Sequence, residues 1–374
     1  MTHIRSIRPG ESALAILDAA DHSRPAPDPV ALPHRVSSTF TNPIVQRGQD
    51  PHVVRHDGYY YLIMSEDDRR VTIRRSPRLT TLGAAPPVVV WEAAPHGDAC
   101  AEVWAPELFL VDGRWYIYVA ASNGVNATHR MYVLESAGRD PLGPYHERGK
   151  IAAATDKWAI DGSVIQRGDD HYFVWSGWPG DHNVRQNLYI APMSDPWTLR
   201  GDRVLLSEPD APWEIPTARP AMHEGCIPAV NEGPAALHRH GRVFLVFSAN
   251  GSWSDDYCLG MLVNESGNLL NRNAWTKSAG PVFAKNPAAG VHGPGHNSFI
   301  QSPDGREDWI VYHANLAPGG GWRKRTVLAQ SFSWRPDGTP HFGAPLPPGA
   351  ALPIPSGEDR YGPSVSPQDL SLVA

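Results

Sequence analysis

Three carboxylic acids, Asp50, Asp161 and Glu232, open repeated segments of this chain. Hydrolysis of a glycosidic bond needs two carboxyl groups in different states. One is protonated and pushes out the leaving oxygen; the other is ionised and activates water or attacks carbon. A third acid nearby raises its neighbour's pKa by like-charge repulsion and keeps that neighbour protonated near neutral pH. An Asp-Pro or Asp-Gly pair at a strand start often does no more than cap a turn. The chemical reading rests on three acids at matched places in a repeat, which turn capping does not require.

The elements that must position these acids are themselves repeated. The segments are DPHVVRHDGYYYLIM from Asp50, APELFLVDGRWYIYV from Ala105, DGSVIQRGDDHYFVW from Asp161, EGPAALHRHGRVFLVF from Glu232 and HNSFIQSPDGREDWIVY from His296. Each has a polar or Pro-containing start, a short apolar strand, a turn and an aromatic-rich second strand. Hairpins recurring at this spacing indicate a radial β-array, so the expected fold is an all-β, five-bladed β-propeller. The first strand of each blade lines the channel, and the residue entering it sits at one mouth. Further strands follow in RRVTIRRSP, HRMYVLESA, QNLYIAPMS, DYCLGMLVN and RTVLAQSFSW. The expected organisation is an N-terminal helix and Pro-rich strap over 1–40, the propeller over 41–343 and a Pro-rich tail over 344–374.

Composition agrees with many short strands and tight turns. The 374 residues include 37 Pro, 34 Gly, 13 Trp and 12 Tyr. A net charge of −6 argues against a nucleic-acid partner, which needs a basic footprint. No apolar run approaches the ~20 residues of a membrane span. Cys100, Cys226 and Cys258 make neither a disulfide framework nor a metal knuckle. The apolar stretch Ala13 to Leu17 is flanked by Glu11 and Asp18 and is no signal-peptide core, so a cytoplasmic location is expected.

At these residues the chain resembles glycoside hydrolase family 43, the five-bladed β-propeller hydrolases of arabinan and xylan. The likeness is carried by TNPIVQRGQDPHVV, VWAPELFLVDGRWYIYVAAS, AIDGSVI, NEGPAAL, GSWSDDYCLG and GPGHNSFIQSPDGREDWIVYH. The resemblance implies Asp50 as general base, Asp161 as pKa modulator and orienting carboxylate, and Glu232 as general acid. It also implies inversion at the anomeric carbon. The strings look like the α-L-arabinofuranosidase branch, acting on arabinose-containing oligo- or polysaccharides. The alternatives are a β-D-xylosidase or endo-arabinanase of the same family, or a non-catalytic glycan-binding propeller. Gln49 and His52 depart from the family pattern beside the presumed base and bear on the fit of the sugar subsite.

Other residues are candidates by type and place. Trp104 precedes the second inner strand, where an indole face can stack on a sugar or fill core. Trp178, Asn183 and Gln186 belong to the loop SGWPGDHNVRQN, and loops carry specificity. Arg325 can donate paired hydrogen bonds to hydroxyls or hold a carboxylate. No cofactor is required by this chemistry. The resemblance also implies a channel cation, usually calcium, that a histidine at the place of His296 contacts and whose other ligands are largely water. Calcium seeks oxygen ligands, and no acidic cage is evident around His296.

Overall fold

The computed structural model describes residues 38–217 and 228–358. The expected N-terminal helix, Cys226 and the last part of the tail lie outside the described residues. The hairpin turns form as the dipeptides dictate. Asp57-Gly58, Asp112-Gly113 and His240-Gly241 carry positive φ at both central positions (46° and 82°, 49° and 78°, 50° and 76°). That is the turn geometry whose twist matches the strands it joins.

The hairpins extend into antiparallel blades arranged as a five-bladed propeller. Blade one is His52–His56, Tyr59–Glu66, Arg70–Ser76 and Val88–Glu92. Blade two is Ala101–Val111, Arg114–Ser122, Arg130–Ser136 and Tyr145–Lys150. Blade three is Ala159–Arg167, Asp170–Gly177 and Arg185–Asp195, edged by Thr198–Leu199 and Val204–Ser207. Blade four is Ala229–Arg239, Arg242–Ala249, Cys258–Asn264 and Trp275–Lys277; blade five is His292–Gln301, Asp308–Asn315, Arg325–Trp334 and Pro340–His341. A short parallel pairing of Arg185 and Gln186 with Ala229 and Val230 joins blades three and four.

Each second strand is buried on both faces, which explains its unbroken apolar run. In blade one, Tyr60, Leu62 and Met64 pack with Trp309, Val311 and Val327 of blade five. Tyr61 and Ile63 point the other way, into a core with Trp115 and Ile117 of blade two. The remaining blade interfaces hold equivalent apolar cores. The ring is tied at the seam between its first and last blades. Asn42 brackets Ala329, donating to its carbonyl at 2.8 Å and accepting its N–H at 3.0 Å. The Pro-rich tail returns to pair Leu352–Pro353 with Thr39–Phe40, and Glu358 accepts the Leu79 N–H at 2.7 Å.

One distortion recurs at the channel mouth and places the site. The inner strands of blades two to five slip register at Ala105-Pro106, Asp161-Gly162, Gly233-Pro234 and His296-Asn297. The first residue of each pair is left-handed (φ 43°, 54°, 54° and 45°), and Asp50 before Pro51 matches them at 51°. Two residues further on, His52, Glu107, Ser163, Ala235 and Ser298 all line a channel cavity of 520 Å³. The repeat in blade four therefore falls at Gly233, and Glu232 stands one residue before it. This corrects the expectation of three acids at equivalent positions: Asp50 and Asp161 are equivalent, while Glu232 is offset. The left-handed bulge falls to the glycine, which adopts that conformation without a Cβ penalty. A Cβ there would also come within 3.1 Å of the His296 ring.

Candidate active site

The bulges turn polar side chains toward one pocket. Asp50 is held by three basic groups. His313 Nδ1 lies 3.2 Å and His296 Nδ1 3.3 Å from Asp50 Oδ1, and Arg325 Nη1 donates to the same oxygen at 3.4 Å. His313 Nδ1 accepts the Asp50 backbone N–H at 3.1 Å. Burial pushes the Asp50 carboxyl upward. His296, His313 and Arg325 together outweigh burial and hold it well below the usual carboxylate range. Asp50 is thus ionised at any working pH.

Glu232 meets a different environment. The Tyr257 hydroxyl donates to Glu232 Oε1 at 2.8 Å, and the Ser252 hydroxyl is a second hydrogen-bond partner. Burial raises its pKa to about 7 with help from the Asp50 charge, against the pull of Tyr257, Arg325 and Ser252. Asp161 lies between the two. Its Oδ2 accepts the Gly233 N–H at 3.0 Å and sits 3.9 Å from His296 Nδ1. Burial, then the charges of Glu232 and Asp50, push Asp161 well above the ordinary range. Two acids this close do not both ionise readily. The bond from Gly233 gives Asp161 a second task, since it fixes the backbone that carries Glu232.

An ionised carboxylate and a protonated one facing a common pocket are the acid–base apparatus of glycoside hydrolysis. The matching family model, described as "Glycosyl hydrolases family 43", covers residues 40–340. The chain belongs to this family. The family 43 chain is 37% identical over 346 residues to an "Extracellular exo-alpha-(1->5)-L-arabinofuranosidase" of Streptomyces avermitilis, covering 90% of this chain and 68% of that one. It is 38% identical to "Alpha-L-arabinofuranosidase 43" of Humicola insolens, covering 83% of this chain and 64% of the relative. It thus spans about two thirds of the length of these two relatives. Among solved structures, an α-L-arabinofuranosidase from Lactobacillus brevis matches with a TM-score of 0.75 at 37% identity, covering 83% of this chain and 98% of that one. The cytoplasmic expectation is overturned by these relatives. The Streptomyces enzymes are named extracellular, which points to secretion.

The structure gathers some of the remaining candidates and disperses others. Arg325 is at the centre, bridging Asp50 Oδ1 and, through Nη2, the Ser252 carbonyl at 2.7 Å. Trp104 is half-buried, with one face stacked on His129 at 4.0 Å between centroids. Trp178 is only 3% exposed and stacks on Trp158 at 4.8 Å, so its ring fills core and offers no free face to a sugar. That corrects its place among the sugar contacts. Gln186 is buried in the pairing with Val230, two residues before Glu232, and its Oε1 has no partner in the protein. Asn183 sits half-buried on its loop, with Oδ1 likewise unpartnered.

His296 turns Nδ1 to the two aspartates, 3.3 Å from Asp50 Oδ1 and 3.9 Å from Asp161 Oδ2. Among the described residues no group of three or more His, Cys, Asp or Glu side chains is arranged to hold a metal ion. No chemical step is routed through a metal. His52 lines the channel cavity beside Glu107. Its Nδ1 accepts the Leu108 N–H at 3.2 Å, leaving the Nε2 proton toward Glu107 Oε2 at 3.8 Å. Burial lowers His52 to about 3 and raises Glu107 to about 8, so the two form a neutral pair at pH 7.

Three contributors escaped the sequence reading. His313 lies inside the apolar run DWIVYHAN, where a histidine signals nothing beyond a core position. Tyr257 and Ser252 belong to GSWSDDYCLG, a string matched as a motif without roles for its members.

Proposed function

We propose that this chain is an exo-acting, inverting α-L-arabinofuranosidase that releases terminal arabinofuranosyl residues from arabinose-containing saccharides. The observation that carries this reading is the opposite ionisation of Asp50 and Glu232 in one pocket, together with the names of the relatives. Asp50 takes a proton from water as the water oxygen attacks the anomeric carbon. The carbon–oxygen bond to the leaving group breaks on the opposite face, and Glu232 gives its proton to that oxygen. One bond forms, one breaks, and the pocket ends with Asp50 protonated and Glu232 ionised. Exchange with solvent restores both. Arg325 and His313 keep Asp50 ionised between turnovers, and Asp161 orients Glu232 through Gly233.

Turnover of 4-nitrophenyl α-L-arabinofuranoside against the β-D-xyloside tests this reading. The expected result is a strong preference for the arabinoside. Preference for the xyloside would assign the chain to xylosidase action, and turnover of neither would leave a glycan-binding propeller.

A further inference from the structure

The proton donor marks where the leaving group departs, so the side chains grouped around Glu232 are placed to meet it. Two indoles stand there. The Ser252 hydroxyl is a hydrogen-bond partner of Glu232. Trp322 Nε1 donates to Ser252 Oγ at 3.0 Å, so a continuous bonded path runs from Trp322 to the acid. Trp253 follows Ser252 in the chain and meets Trp322 edge to face, with centroids 6.1 Å apart at 84°. Both rings are partly exposed. They lie on the loops joining the second and third strands of blades four and five. Because second strands run antiparallel to first strands, these loops emerge on the bulge-bearing face that holds the acids.

The two loops are pinned to each other. Both Asp255 carboxylate oxygens accept the Gly319 N–H at 3.0 Å. Arg325 adds the bond to the Ser252 carbonyl noted above, from the guanidinium that also holds Asp50. Fixed, half-exposed indoles beside a proton donor suit the C–H face of a sugar ring, which takes contact area rather than charge.

We propose that Trp253 and Trp322 form the platform for the first sugar of the leaving group, a pentose ring of an arabino-oligosaccharide, and that Ser252 ties this platform to the proton donor. The proposal rests on the arabinofuranosidase reading and names the residues that select its leaving group. The test is the ratio of kcat/KM for α-1,5-linked arabinotriose to kcat/KM for methyl α-L-arabinofuranoside, whose leaving group is too small to reach the platform.

Trp322→Ala should lower that ratio roughly tenfold or more, the usual scale for truncating a contact indole. Trp322→Phe keeps a ring face but loses the Nε1 bond to Ser252, so its ratio should fall between those of wild type and the Ala variant. Should Trp322→Ala fail to fold, Trp253→Ala carries the same expectation. An unchanged ratio in the alanine variants would overturn the platform while leaving the function intact, and so would a Phe variant as impaired as the Ala variant. Wild-type protein inactive on both substrates would overturn the arabinofuranosidase reading and the platform with it.

Discussion

Asp50 and Glu232 share one pocket and one functional group, yet the blade-five side and the blade-four side of that pocket treat them in opposite ways. The blade-five side surrounds Asp50 with His296, His313 and Arg325. The blade-four side surrounds Glu232 with the hydroxyls of Tyr257 and Ser252. Burial opposes ionisation on both sides, but only the first sets a guanidinium and two imidazole nitrogens against the carboxylate and reverses it. Base and acid are therefore assigned by their neighbours rather than by residue type. Tyr257 sits at the boundary, bonded to Glu232 and stacked on His313 with centroids 5.7 Å apart.

The largest expected effect comes from removing the acid. Glu232→Gln should cost ~100- to 10,000-fold in kcat on arabino-oligosaccharides. Activated aryl glycosides, whose leaving groups need little protonation, should suffer less. Steady-state kinetics on both substrate types check this, and wild-type turnover of the oligosaccharides would remove Glu232 from the role.

Weakening the cationic side should sharpen the contrast. Arg325→Gln withdraws the one permanently charged neighbour of Asp50, so the Asp50 pKa rises and the base is lost at low pH first. The variant should lose activity at the acid end of the profile and recover it as pH rises. A loss uniform across pH would show that Arg325 acts by some other route.

A smaller effect lies behind the site. Burial raises Glu107 to about 8, above its unfolded value of 4.5. The folded state binds this proton more tightly. The resulting stability is complete below the unfolded value and declines as pH rises from there through about 8. Glu107→Gln should flatten the fall of Tm over that window, measured by thermal melts from pH 5 to 9. An unchanged slope would place the proton elsewhere.

The smallest effect separates the bulges that carry chemistry from one that does not. Asp50 and Asp161 hold left-handed backbone and use their side chains. Ala105 holds φ 43° with nothing to contribute. Ala105→Gly should stabilise the protein by about 1 kcal/mol in chemical denaturation, by relieving the Cβ strain.

Much of this arrangement was legible in the sequence. The turn dipeptides and doubly buried second strands dictated hairpins, their spacing dictated blades, and the acids stood at blade entries. The offset of Glu232 was hidden because sequence shows that a glycine follows the acid but not which of the two adopts the left-handed φ. Trp178 was misjudged because an indole that packs on Trp158 and one that faces a sugar look alike until the stacking partner is placed. The electrostatic contrast between Asp50 and Glu232 also draws on His313, whose neighbour Asp50 lies 263 residues away. No local pattern reports a contact of that range.

The contrast between the two sides is tested most directly by the pH dependence of kcat/KM on an arabino-oligosaccharide, for wild type and Glu232→Gln. The predicted wild-type profile is level through the mildly acidic range, because Asp50 is already ionised, and declines above pH about 7 as Glu232 loses its proton. The variant should be slow and lack that decline. A wild-type rate that climbs through neutral pH, or an alkaline decline near pH 7 that persists in Glu232→Gln, would contradict the assignment of acid and base.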